Sequence, residues 1–309
     1  LLLGHAENDI FDINIELNDI APNLNTVPLI ADIRNQNRIN GIFSTYKPDV
    51  VFHAAAHKHV PLMESNPEEA IYNNIFGTWH VAHAADIYGA ERFVLVSTDK
   101  AVNPISVMGC SKRGAELLVQ ALANQSQTKF MAVRFGNVLG SRGSVIPLFQ
   151  EQIKKGGPIT ITHPDMVRYF MTIPEAVQLI IQAAAIGVGG EVFILDMGEP
   201  VKIIDLAKDL IRLSGLDPDH DVGVEFVGIR PGEKIVEELL TAEEGAVATI
   251  HERIFIAKGE SLIDDNIDEF LGVCRELANG NIKEGKAFVD WIRKITSSAR
   301  YSPDKLRSH

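Results

Sequence analysis

Cysteine is almost missing from this chain. There are two in 309 residues, Cys110 and Cys274. They stand far apart and show no metal-ligand spacing. That excludes a disulfide framework and a structural zinc site, and leaves two reduced thiols of a cytosolic protein. Basic residues are also in deficit, with 29 Lys and Arg against 41 Asp and Glu and a net charge of −12. This balance argues against nucleic acid or an anionic membrane surface as the main partner. It leaves room for a local basic pocket that holds a diphosphate. No apolar run reaches the length of a membrane span. The longest candidate, Ala176 to Val188, is interrupted by Gln178 and Gln182 and reads as a buried helix. The sequence shows no signal-peptide pattern, no internal repeat and no low-complexity segment. One motif is missing too. No Gly-x-Gly-x-x-Gly run precedes Asp32, where a dinucleotide-binding fold would carry its phosphate loop.

What is present is an ordinary globular composition, 46% hydrophobic and 23% charged, enough for one or two domains with a sizeable core. Local pattern orders the elements. Leu1 to Leu3 read as the end of a strand, and Ala6 to Asp19 as a helix with apolar residues at 10, 13, 17 and 20. Val27 to Ala31 is a strand running into Asp32 and Ile33. Residues 34 to 47 are helical, ended by Pro48. Asp49 to His53 is a strand that enters Ala54, Ala55 and Ala56. Ser65-x-x-Glu68 with Pro67 predicts a capped helix running to about Tyr88. Further strands are predicted at Phe93 to Val96, Lys129 to Phe135 and Glu191 to Leu195. Helices follow Pro147, follow Thr172-x-Pro174-Glu175, and cover Ile203 to Leu213. This alternation predicts a doubly wound α/β fold, a parallel sheet with helices on both faces. Asp264 to Leu277 and Ile282 to Ile295 read as amphipathic helices, and Thr296 to His309 as a polar tail.

Chemistry concentrates in residues 91 to 112, ERFVLVSTDKAVNPISVMGCSK. An apolar strand breaks into the polar turn Ser97-Thr98-Asp99-Lys100. A turn leaving a buried parallel strand lies at the carboxyl edge of the sheet, where open α/β sheets bind ligands. A hydroxyl, an acid and an amine on adjacent residues suit proton transfer. Taken alone, a solvated loop with a surface ion pair is an equal reading. His53, His57 and His59 invite a metal reading. They fall on a strand end and a loop, where helical spacing does not apply, and no nearby carboxylate or thiol completes a set, so no metal site is expected.

Ser-Thr-Asp-Lys-Ala from Ser97, Asn103-Pro104, and Met-Gly-x-x-Lys-Arg from Met108 resemble the extended short-chain dehydrogenase/reductase superfamily. More narrowly they resemble its polysaccharide-biosynthesis branch, the nucleotide-sugar 4,6-dehydratases acting on UDP-N-acetylglucosamine. The likeness runs from about residue 1 to about residue 260. It departs at Met108, where the superfamily usually carries Tyr four residues before the Lys; the Met form resembles long, membrane-anchored members.

The resemblance implies a Rossmann-like NAD(P)-binding domain over 1–157, a nucleotide-sugar-binding region over 158–260, and C-terminal helices and tail over 261–309. It matches Leu1 to Leu3 to the second strand of that fold, with the first strand and glycine loop lying upstream of this sequence. It implies NAD as cofactor, with NADP as the alternative. Glu7 would meet the adenosine ribose, with no Arg close by. Asp32 and Ile33 would meet the adenine, although Asp32 reads equally as a helix N-cap. Ala54, Ala55 and Ala56 would let the backbone approach the cofactor, Asn73 would steady the active-site backbone, and Ser97 and Phe135 would line the site. Lys58, Val60, Asn137, Arg142, Arg168, Arg230 and Glu233 would face a UDP-sugar. Arg230 sits in Gly228-Ile-Arg-Pro-Gly-Glu-Lys234, which resembles the family's diphosphate clamp. An Arg fork presents paired donors to phosphate; by themselves Arg168 and Arg230 read as surface ion-pair partners. The resemblance also implies a homo-oligomer paired through the helices at 67–88 and 107–124. It implies a tether to the cytoplasmic face of the inner membrane only through segments outside this sequence.

The implied reaction oxidises C4 of a hexose, which acidifies the C5 proton and lets the C6 hydroxyl leave. Lys100 would take the C5 proton, Asp99 would protonate the C6 oxygen, Thr98 would hold the C4 hydroxyl, and Lys112 would hold the nicotinamide ribose. Met108 takes no proton, so Asp99 or a water must accept that of the C4 hydroxyl. A nucleotide-sugar epimerase would share the cofactor and clamp, but it expels no hydroxyl, so the Asp-Lys pair favours the dehydratase. A non-catalytic nucleotide-sugar-binding module would suit Met108 and the missing glycine loop.

Overall fold

Short, apolar, β-branched runs make the central strands of this chain, as burial on both faces of a parallel sheet requires. The computed structural model describes residues 1–240, 245–257, 263, 266–279 and 284–297. Within them Val50–His53, Arg92–Val96, Lys129–Arg134 and Val192–Leu195 lie side by side in parallel. Ile254–Ala257 and then Ala246–Ala248 add antiparallel beyond Val192–Leu195, which completes a six-stranded sheet. Leu2–Gly4 and Pro28–Ile30 pair in parallel as a separate two-stranded sheet. Both sheets share one core, in which Leu29, Ala31 and Ile33 cluster with Phe43, Phe93 and Phe130. The architecture is the α/β one that the alternation of elements predicts.

The division of the chain differs from the expected one. Val192–Leu195 and Ile254–Ala257 fall in the region assigned to the nucleotide sugar, yet both belong to the main sheet. The smaller region is made of short strand pairs: Asn137–Val138 with Phe170–Met171, Val167–Arg168 with Val201–Lys202, and Ile159–Ile161 with Val224–Phe226. It has its own core around Phe149, Ile159, Met166 and Ile211. It is therefore discontinuous in sequence. Local pattern marks a strand but does not name its neighbour.

Helix starts also show what pattern misses. Ser65 does not cap the helix at Glu68. It closes the preceding helix Val60–Ser65, and its Oγ donates to the carbonyl of Pro61 at 3.3 Å. The next helix begins at Pro67, whose fixed φ and missing N–H suit the first helical position. It passes through a π-helical turn, Ile71–Phe76, before continuing as Gly77–Ile87. The box at Thr172 and Glu175 forms with both of its bonds present. In the helix Glu7–Ile20 only Ile10 is buried; Ile13 and Ile20 face solvent.

The helices Ile267–Asn279 and Glu284–Ser297 pack onto Val107–Ala123 and the π-helical turn, in a cluster with Ile75, Leu117, Phe270, Phe288 and Trp291. Val107–Ala123 is buried on nearly every side as a result. One of the two helices expected to pair between copies is thus covered from within the chain. Cys110 and Cys274 are free thiols buried in the same cluster. The expected tail lies outside the described residues from 298 onward, as does the boundary at 258–262. Among the described residues no helix is long and apolar enough to cross a membrane.

Candidate active site

The strand Arg92–Val96 delivers Ser97 to the carboxyl edge of the sheet, and the chain then makes one 3-10 turn, Asp99–Ala101. Thr98 caps that turn by accepting the backbone N–H of Lys100 at 3.3 Å. The Thr98 hydroxyl donates to Oδ1 of Asp99 at 2.8 Å. Lys100 Nζ donates to the same oxygen at 2.9 Å and to Oδ1 of Asn137 at 3.4 Å. The Asp99 N–H donates to the carbonyl of Phe135 at 3.0 Å, which ties the turn to the next strand end.

A cavity of about 500 Å³ opens here, bordered by Thr98, Lys100, Met108 and Lys112. Ala54, Ala56, Ser97 and Phe135 floor it, and Asn137, Arg168, Arg230 and Glu233 reach it from the smaller region. Lys58 and Val60 border it too. Asp99 does not. It is 0% exposed and sits behind Thr98 and Lys100, with its second oxygen Oδ2 without a hydrogen-bond partner. The acid expected to touch the substrate instead holds the two groups that face the cavity.

Lys112 comes from the helix Val107–Ala123. Ser106 caps that helix by accepting the Gly109 N–H at 3.0 Å, and Glu64 Oε1 accepts the Val107 N–H at 2.8 Å. Lys112 Nζ donates to the carbonyl of Val96 at 2.7 Å. Burial pushes its pKa down to about 8, against the pull of Glu116. Below it lies a buried ionic cluster. Glu116 accepts Arg134 at 2.9 and 2.8 Å, Arg113 at 2.9 Å and the Ser97 hydroxyl at 2.6 Å. Burial alone would push the Glu116 carboxyl up; the two guanidinium groups and Ser97 outweigh it and hold it at about 2. Ser97 borders the cavity and gives its hydroxyl proton inward to Glu116.

Several expected contacts resolve differently. Asn73 only donates to Oδ1 of Asn74 at 3.0 Å. Asn74, 1% exposed, is the residue that fixes the strand end. It accepts the His57 N–H at 2.7 Å, and its Nδ2 lies 2.9 Å from both the His57 carbonyl and the Ser111 hydroxyl. Asp32 is not the helix cap; Asn35 is, accepting the Arg38 N–H at 3.1 Å. Asp32 is held by Arg34 at 2.7 Å, and Arg34 reaches Glu69 at 3.0 Å. Ile33 is a core residue, 5% exposed. Glu7 and Ala55 do not border the cavity. Arg142 is exposed and paired with Asp9 at 2.6 Å, at the rim of a smaller cleft beside Lys58 and His59. Arg168 is buried and donates to the carbonyls of Val167, Lys234 and Ile235 at 2.7 to 3.0 Å, so its fork holds a strap of chain, not a phosphate. Arg230 stays exposed at the cavity, and its N–H donates to Oε2 of Glu233 at 3.1 Å. The histidines diverge: His53 is buried against Thr78 at 3.0 Å, held neutral with a pKa of about 3 by burial and then by Lys112, while His57 lies 3.7 Å from Glu69.

Sequence reasoning missed Glu237. It borders the cavity, is 4% exposed, and lies 3.7 Å from Lys100 and 3.8 Å from Arg168. Its only sequence signal is its place three residues after Lys234.

A parallel sheet with a Thr-Asp-Lys turn and a helix-borne lysine at one strand edge defines an extended short-chain dehydrogenase/reductase. Residues 1–259 match the polysaccharide biosynthesis protein family, and the chain belongs to it. It is 55% identical over 286 residues to the capsular polysaccharide biosynthesis protein CapD of Staphylococcus aureus, covering 92% of this chain and 47% of CapD. The chain thus spans about half the length of that relative. It is 42% identical over 223 residues to a UDP-glucose 4-epimerase of Rickettsia bellii, covering 71% of this chain and 63% of the relative. Among solved structures, Pen from Bacillus thuringiensis matches with a TM-score of 0.76 and 38% identity, covering 84% of this chain and 80% of Pen.

Proposed function

We propose that the protein is a nucleotide-sugar 4,6-dehydratase that removes water from UDP-N-acetylglucosamine for surface polysaccharide synthesis. The observation that carries this reading is the Thr98–Asp99–Lys100 turn. It presents an amine and a hydroxyl to the cavity, both held by one buried carboxylate. An epimerase has no use for a lysine base beside the sugar. The naming of CapD supports a place in polysaccharide synthesis.

The cavity floor fits the nicotinamide end of NAD or NADP. Ala54 and Ala56 keep it open, and the Lys112 ammonium stands in it with donors beyond the one given to Val96. When bound, the cofactor supplies a reversible acceptor for hydride from C4. Lys112 would hold its ribose, and with a pKa of about 8 remains mostly charged at neutral pH. Thr98 Oγ1 would accept a hydrogen bond from the C4 hydroxyl while directing its own hydrogen at Asp99, and a water in the cavity would take the O4 proton as C4 is oxidised. Lys100 Nζ takes the C5 proton, and Asp99 keeps that nitrogen aimed into the cavity. Asp99 is a positioning residue in this arrangement. Arg230 binds the diphosphate, with Glu233 fixing its turn.

Mass spectrometry of UDP-N-acetylglucosamine incubated with the protein and NAD tests the reading. Loss of one water is expected, abolished in Asp99→Asn and Lys100→Ala and reduced only a few-fold in Met108→Ala. The Rickettsia relative favours one alternative, an epimerase. A product of unchanged mass with C4 inverted would establish that instead, and binding without conversion would leave a nucleotide-sugar-binding module.

A further inference from the structure

The dehydratase reading leaves Glu237 unused, although it borders the cavity and is 4% exposed. Its two oxygens differ. Oε1 faces Lys100 at 3.7 Å and Arg168 at 3.8 Å. Oε2 is buried with no hydrogen-bond partner. A buried oxygen left without a partner is unfavourable. At the wall of a cavity, the bound molecule can supply that partner. We infer that Glu237 recognises the C6 hydroxyl of the hexose; the assignment rests on the dehydratase reading above.

Position selects the C6 hydroxyl. That reading puts Lys100 Nζ at C5 and Thr98 at the C4 hydroxyl. C6 is bonded to C5, so its hydroxyl comes closest to a carboxylate 3.7 Å from that nitrogen. The C3 hydroxyl lies beyond C4. Chemistry selects a hydroxyl as well. An ammonium on the sugar would be repelled by Lys100 and Arg168. Burial pushes the Glu237 carboxyl above its ordinary range and the Asp99 charge adds to the rise, while Lys100, Arg168 and Lys234 pull it back. A hydroxyl both donates and accepts. It therefore pairs with Oε2 in either protonation state, whereas an amide N–H pairs with only one.

The carboxylate is also held in place, as discrimination requires. Val236 bridges Val167 in parallel, and the Val167 N–H donates to the Ile235 carbonyl at 3.1 Å. Arg168 donates to the carbonyls of Lys234 and Ile235. Lys234 Nζ donates to the Val102 carbonyl at 2.9 Å. One strap thus reads both ends of the substrate, with Arg230 at the diphosphate and Glu237 at C6.

Calorimetric titration without added NAD tests this on UDP-N-acetylglucosamine and its 6-deoxy counterpart, which lacks only the oxygen at C6. The parent should bind the natural sugar about ten- to a hundredfold more tightly, the worth of a hydrogen bond to a charged group. In Glu237→Met, apolar and of similar length, the two sugars should bind within about twofold of each other. Glu237→Gln keeps a hydrogen-bonding group of the same shape and should keep most of the preference. UDP alone should bind the parent and the variants alike, which also shows that they fold. Glu237→Ala takes the place of Glu237→Met if that variant does not fold. A parent with no preference, or a preference that survives loss of the carboxyl, overturns the assignment and leaves the dehydratase reading standing. Water loss with NAD is measured beside the titrations. A parent that loses none overturns the dehydratase reading, and this assignment with it.

Discussion

Replacing Asn74 with alanine removes three contacts to His57 and Ser111 at once, besides the one it accepts from Asn73. The His57 N–H and carbonyl lose their partner, and Ser111 loses the amide beside its hydroxyl. Asn74 is 1% exposed, so water does not readily replace it. Each intramolecular hydrogen bond is worth about 1 kcal/mol net, and a buried group left unpaired costs about 1–3 kcal/mol. The sum is about 3 kcal/mol, or a fall in melting temperature of about 5 °C for a chain of this size. Activity should fall more than stability suggests, because the amide pins the backbone where Ala54 and Ala56 meet the cavity. Asn74→Asp keeps the acceptor for the His57 N–H and loses the donor, so it should melt between the parent and Asn74→Ala. Asn73→Ala removes a single exchangeable contact and should melt within about 2 °C of the parent. Calorimetry of the four proteins decides it. An Asn73 variant that melts below the Asn74 variant would refute the argument.

Two further perturbations probe the strap and the ionic cluster. Gly232 has a φ of 76°, and a Cβ there would stand 2.8 Å from Glu64 Oε1 and from Ser106 Cβ. Gly232→Ala should therefore lift the strap, raising KM for the UDP-sugar at least tenfold in steady-state kinetics while the cofactor still binds. Acid should destabilise the fold through Glu116, whose folded pKa of about 2 lies below the ordinary 4.5. A depressed carboxylate adds stability above the unfolded value and loses it as pH falls from 4.5 towards 2. At about 1.4 kcal/mol for each pH unit of difference the loss is of order 3 kcal/mol. Urea titrations at pH 7, 4 and 3 on the parent and on Glu116→Gln should show this slope in the parent and a flatter one in the variant.

The residues that the sequence places together at the cavity are those that lie in one short run. Thr98, Lys100, Met108 and Lys112 come from a strand, its turn and the next helix, and they meet because those elements are adjacent in the chain. Asn74 was displaced by one position because the choice within the Asn73-Asn74 pair depends on which face of the helix turns inward, and a π-helical turn shifts that register. Arg168 shows a different limit. A guanidinium serves three carbonyls as readily as a phosphate, and only the path of the strap decides between them. Glu237 was invisible because its neighbours Lys100 and Arg168 are far away in sequence. The domain division failed for the same reason at Val192–Leu195, whose partner strand starts at Lys129.

Among the described residues, Val50–His53 is paired along one side only, and Val50 and Phe52 are exposed upon it. Such an edge offers unpaired amides and carbonyls beside apolar side chains, and natural sheets usually guard that combination with charge, proline or a covering helix. Here it lies next to the strand that delivers the Thr98–Asp99–Lys100 turn. A further strand laid along this edge would bury Phe52 and slow hydrogen exchange at Val50 and Phe52.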